Sequence, residues 1–126
     1  MSQKQQRIIP IYASNGEAAA FLIFPYLFNR SGEWIGWVTP KREVYSVMGY
    51  YVGTLTNDPR ITRKRSDDAS IPRQQTPPRP KRINTPPSIP LAPMMSDLPH
   101  SLIDVLLDEP ERLHTLDGGE LREDMD

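Results

Sequence analysis

The chain contains no cysteine, so disulfides and thiolate metal sites are excluded and stability must come from packing. Histidine is nearly as scarce: His100 and His114 are the only two. No run of about 18 apolar residues occurs, and the opening MSQKQQRIIP has no apolar stretch long enough for a signal-peptide core. A soluble, cytoplasmic chain with no membrane contact is the expectation. Proline, in contrast, is abundant, with 14 in 126 residues against 37% hydrophobic content. That composition leaves room for one small domain and for a segment that does not fold with it.

The net charge of −1 conceals a segregation. Residues 1–59 sum to +1, residues 60–96 to +6 and residues 97–126 to −8. Blocks of like charge mark solvated or interacting segments, so the basic middle and the acidic end either attract each other or serve separate partners.

The first half repeats. IYASNGEAAAFLI (11–23), LFNRSGEWIGWVT (27–39) and VYSVMGYYVGTLT (44–56) align at spacings of 16 and 17 residues. Tyr12, Phe28 and Tyr45 correspond, as do Gly16, Gly32 and Gly49, then Ala20, Gly36 and Gly53, then Leu22, Val38 and Leu55. Each unit reads as strand, tight turn, strand. Asn15-Gly16 is a hairpin signal of type I′, and Gly persists at that position where Asn is lost. The second small residue falls inside the returning strand, where glycine weakens a sheet unless something packs closely over it. Tyr12, Phe28 and Tyr45 are the expected core ring. A lone hairpin is marginal in water, so units this short imply closure around a shared apolar face. ITRKRSDDASIPR (61–73) supplies a faint fourth copy, with Ile61, Ser66 and Ser70 at the Val44, Gly49 and Gly53 positions; alternatively the N-terminal RIIP pairs with the last unit.

These units, followed by a tail rich in proline and arginine, resemble the small bacterial 4-fold beta flower proteins over about residues 8–82. The resemblance implies an all-β fold of four short hairpins around a pseudo-fourfold axis. It brings no catalytic residues.

Boundaries follow from composition. Residues 1–72 form the repeated hairpin module, 73–95 a basic, proline-rich linker expected to be disordered and extended, and 96–126 an acidic tail. Pro77, Pro80 and Arg82 match a PxxPx+ ligand pattern, and Thr76-Pro77 and Thr85-Pro86 match proline-directed phosphorylation sites. In the tail, Leu98, Leu102, Ile103, Leu106 and Leu107 recur at helical spacing, predicting a short amphipathic helix over about 98–109 that Pro110 ends. So short a helix needs a surface: its own module, a second copy, or a foreign groove.

Catalytic constellations are sparse. His100 and Asp104 stand at i and i+4, two ligands without a third. Glu17 and Glu33 correspond in the repeat but follow turn glycines, where a solvated carboxylate is ordinary. No phosphate-cradling Lys-Ser/Thr follows Gly49 or Gly53. No enzyme, cofactor or metal is expected. The residues point to a non-enzymatic interaction or adaptor protein, with the tail helix facing a protein partner. The alternative is nucleic-acid binding, with Arg63, Lys64 and Arg65 along a phosphate backbone and Trp34 and Trp37 stacking on bases.

Overall fold

The computed structural model describes residues 7–66 and 71–116. The fold is all-β. Eight strands run antiparallel in sequence order through one curled sheet: β1 (Ile9–Tyr12), β2 (Ala18–Ile23), β3 (Tyr26–Phe28), β4 (Trp34–Val38), β5 (Glu43–Ser46), β6 (Tyr51–Leu55), β7 (Ile61–Lys64) and β8 (Leu102–Asp104). A one-turn helix α1 (Val105–Asp108) and a 3-10 turn (Pro110–Arg112) follow. The strands pair into four hairpins, β1β2, β3β4, β5β6 and β7β8.

Hairpin geometry repeats with the sequence. At each of the first three turns the glycine N–H donates to the carbonyl three residues back: Gly16 to Ala13, Gly32 to Asn29 and Gly49 to Ser46. The same three residues donate their own N–H to Glu17, Glu33 and Tyr50. Positive φ occurs at the glycine alone, between 84° and 90°. These are three-residue loops ending in a left-handed residue, and not the two-residue type I′ turns that Asn15-Gly16 suggested. Asn15 acts otherwise: its side-chain oxygen accepts the Glu17 N–H at 3.1 Å. Opposite Ile11/Tyr12, Leu27/Phe28 and Val44/Tyr45 the register shifts by one extra residue on the returning strand, Ala19, Ile35 and Val52, so the first three hairpins carry the same bulge.

In those three hairpins the bulge pairs the residue before the aromatic with the small residue of the returning strand: Ile11 with Ala20, Leu27 with Gly36 and Val44 with Gly53. Ile11, Leu27, Val44 and Ile61, one aliphatic residue per hairpin, are all fully buried in the main cluster, beside Leu22, Val38 and Leu55. Tyr12, Phe28 and Tyr45 are buried too, but outside that cluster. The shared core ring is therefore aliphatic, one position earlier than the aromatics that were expected to form it. Phe28 packs with Trp34 and Val47 in a second cluster, and Tyr45 stacks on Trp37 at 4.8 Å. Gly36 and Gly53 face the next hairpin: a Cβ on either would stand 2.5 Å from a carbonyl oxygen, of Tyr45 and Thr62 respectively.

The fourth hairpin departs from the expectation. Ile61 begins β7, but its returning strand is Leu102–Asp104, supplied by the tail; Ser70 lies outside the described residues. Within the predicted helix of 98–109, only Val105–Asp108 is α-helical, capped by the Asp104 carboxylate on the Leu107 N–H. Exposed ladder groups on β7 satisfy the segment's backbone better than a short isolated helix does. Val105 and Leu113 complete the core, so the folded unit does not end at residue 72. The N-terminal RIIP contributes Ile9 and Pro10 to β1, which pairs with β2 at the sheet edge. First and last hairpins join by hydrogen bonds from Tyr12 N–H to the Pro59 carbonyl and from Ser14 N–H to the Asp104 carboxylate.

Candidate docking rim

The 37 residues between β7 and β8 take the place of a turn in the fourth hairpin. From 71 onward the segment has no strand or helix until β8, as its proline content dictates, yet it is not a free linker. Its groups bond successively to the other three hairpins. Gln74 N–H donates to the Gly49 carbonyl (2.9 Å), and Ile83 N–H to the Gly32 carbonyl (3.0 Å). The Tyr12 hydroxyl donates to the Pro90 carbonyl (2.7 Å), and Arg60 Nη2 to that of Ser96 (3.0 Å). The segment is a strap that visits hairpins three, two, one and four in turn.

Two of these contacts are the same contact. Arg73 Nε donates to the Met48 carbonyl (2.6 Å), and Arg82 Nε donates to the Ser31 carbonyl (3.1 Å). Met48 and Ser31 each precede the turn glycine. In each case the residue after the arginine then bonds the glycine itself. The strap sequence repeats accordingly: Arg73-Gln74-Gln75-Thr76-Pro77-Pro78 and Arg82-Ile83-Asn84-Thr85-Pro86-Pro87 stand nine residues apart, with Thr76, Pro77, Thr85 and Pro86 half-buried. Nine residues of polyproline-like chain reach roughly 28 Å, enough to pass from one hairpin to the next. Sequence reading missed this repeat because proline masked it as low complexity; the signal was the recurrence of Arg-x-x-Thr-Pro-Pro.

The strap explains two glycines beyond their φ. A Cβ on Gly32 would overlap the Ile83 carbonyl oxygen, and one on Gly49 that of Gln74; both glycines are buried. Gly16 has the same φ, but among the described residues nothing lies within 4 Å of its Cβ position, and it is exposed. Arg73 also lies over the Tyr50 ring, 5.1 Å from its centroid.

The other candidate residues are placed as follows. Of the apolar stripe, Ile103 is buried, Leu98, Leu102 and Leu106 are half-buried, and Leu107 is exposed. Leu106 packs on the main core, so most of the stripe serves the chain's own module. Arg63 forks onto Glu109 (2.7 and 2.9 Å), and Arg112 reaches the same carboxylate (2.7 Å). The Arg63 hydrogen bond, opposed by desolvation and aided by Arg112, lowers the Glu109 pKa from 4.5 to about 2. Arg65 donates to the His100 carbonyl (2.8 Å), while Lys64 is exposed. Trp34 is buried with Nε1 on the Gly36 carbonyl (2.7 Å), and Trp37 is half-buried. Both lie on β4, and two strands, β5 and β6, separate it from β7, where the basic run begins, so the tryptophans and Arg63–Arg65 do not converge. His100 is exposed, whereas Asp104 is buried and occupied by Ser14 and Leu107 N–H groups. Glu17 and Glu33 are exposed on different turns. The Arg60 guanidinium holds the Asp58 carboxyl below its ordinary range, and burial pushes the Tyr45 phenol up.

Among the described residues, no group of three or more His, Asp or Glu could hold a metal ion, and no helix is long and apolar enough to cross a membrane. No curated protein and no solved structure matches the chain. A family profile described as 4-fold beta flower protein matches residues 9–103, from β1 into β8. With four hairpins, a bulge common to the first three and that match covering most of the sequence, the chain belongs to the 4-fold beta flower proteins.

Proposed function

We propose that the protein is a non-enzymatic interaction protein: the β-module is a rigid platform whose hairpin turns hold proline-rich segments headed by arginine, and the strap is its resident ligand. The observation that carries this reading is the duplicated contact, in which Arg73-Gln74 and Arg82-Ile83 meet two equivalent turns through the same pair of backbone carbonyls. Recognition of main-chain acceptors by a pre-extended segment costs little ordering entropy and repeats wherever the turn repeats. The partner-facing element is then the rim of turns, since most of the leucine stripe packs inward. Nucleic-acid binding is the weaker reading, because Arg63 and Arg65 already hold partners within the chain.

The test weakens the resident strap and supplies the segment in trans. In the full-length R73E/R82E protein, a synthetic peptide of residues 72–90 is expected to shift the Gly32 and Gly49 amide signals saturably. Absence of binding to those turns, with the protein folded, sinks the reading.

A further inference from the structure

The strap fills two of three equivalent turns. At the remaining one, Ser14, Asn15, Gly16 and Glu17 are all exposed, and among the described residues nothing beyond the adjoining chain lies within 4 Å of where a Gly16 Cβ would stand. Among the described residues no N–H reaches the carbonyls of Asn15 or Gly16, the counterparts of the Ser31–Gly32 and Met48–Gly49 pairs that the strap bonds. The strap does pass the first hairpin, through Pro90 on Tyr12, but its sequence changes there. Nine residues past Arg82 stands Leu91, and Pro93 and Met94 replace the second polar residue and the threonine. Leu91 is 94% exposed and Met94 fully so.

We infer that the first turn is a docking site for a proline-rich segment of a partner protein with the pattern Arg, a non-proline residue, any residue, Thr-Pro-Pro. This inference rests on the reading above and extends it to the one turn the chain leaves open. The partner arginine Nε donates to the Asn15 carbonyl and the next N–H to the Gly16 carbonyl, which is why proline is barred after the arginine. Glu17 adds a negative charge that the arginine meets at longer range than an ion pair, as at the second turn, where none is formed between Glu33 and Arg82 among the described residues. Glu17 occupies the position where Tyr50 meets Arg73 in the third turn, it is exposed, and it has no ion pair among the described residues. The segment comes from another protein because both copies of the pattern in this chain already sit on turns two and three.

The experiment titrates a peptide of residues 82–90, RINTPPSIP, into the uniformly ¹⁵N-labelled full-length protein, with sedimentation run in parallel. Saturable shifts confined to the amides of residues 14–17 are expected. The peptide with proline in place of its first isoleucine, the residue after the arginine, is expected not to bind, and E17K to weaken binding by about threefold, the worth of a screened charge at an exposed rim. Shifts at Gly32 and Gly49 in place of Gly16 mean that the peptide only competes with the strap, and they overturn this inference while leaving the platform reading standing. No shift in the wild-type protein, beside binding to the R73E/R82E protein, overturns it likewise. If the protein alone gains mass with concentration and residues 14–17 shift in step, the occupant is a second copy's strap and the partner assignment fails.

Discussion

Replacing each turn glycine in turn by alanine separates backbone strain from strap docking. Gly16, Gly32 and Gly49 share φ values of 84° to 90°, so each alanine bears the same left-handed cost of about 1 kcal/mol. Gly16→Ala stops there, because its Cβ enters open space. In Gly32→Ala and Gly49→Ala the new Cβ overlaps a strap carbonyl held by a neighbouring backbone hydrogen bond, and the strap must lift. Lifting forfeits that hydrogen bond and the adjacent Arg Nε contact, each worth about 1 kcal/mol at this exposed rim. The expected losses are therefore about 1 kcal/mol for Gly16→Ala and about 3 kcal/mol for each of the others. On a folded unit of this size, that separates the melting temperatures by roughly 10 °C. Urea unfolding followed by the emission of Trp34 and Trp37 measures the stabilities, and amide exchange at Gln74 and Ile83 reports the strap. If all three variants lose stability within about 0.5 kcal/mol of one another, the strap does not clamp the turns and the reasoning fails.

Ending the chain at residue 72 or 100 removes Ile103, Val105 and Leu113 from the core. At about 1.5 to 3 kcal/mol per buried side chain, the loss approaches the whole stability of a small domain, so neither truncated chain is expected to give a dispersed ¹H–¹⁵N spectrum. A native-like spectrum from either would show that β8 and the residues after it are accessory. The Glu109 pKa is lowered on folding, so its contribution is fully present above about pH 4.5 and is lost as pH falls through about 2. Stability of the wild-type protein should fall over that window and that of E109Q should fall less; parallel pH profiles would refute the Arg63–Glu109 pairing as the cause.

Much of this protein was legible in its sequence because its local chemistry repeats. Spacings of 16 and 17 residues, a turn glycine in each unit and a small residue four later define hairpins whatever surrounds them. The inward ring was misread by one residue. Tyr12, Phe28 and Tyr45 are the most conspicuous side chains, but Ile11, Leu27 and Val44 line the centre, each paired beside a bulge with a small residue of the returning strand, and a bulge is a property of the pairing. Tertiary structure alone decided the rest. Leu102 and Ile103 carry a helical spacing that a solitary segment would follow for lack of any other partner. In the folded chain β7 presents an open edge, and its unpaired backbone groups draw 102–104 into a strand. The proline-rich stretch can form neither helix nor sheet within itself, which composition did determine. Where it lies is set by carbonyls on turns 25 to 51 residues earlier in the chain, acceptors that exist as a row only once the hairpins are assembled.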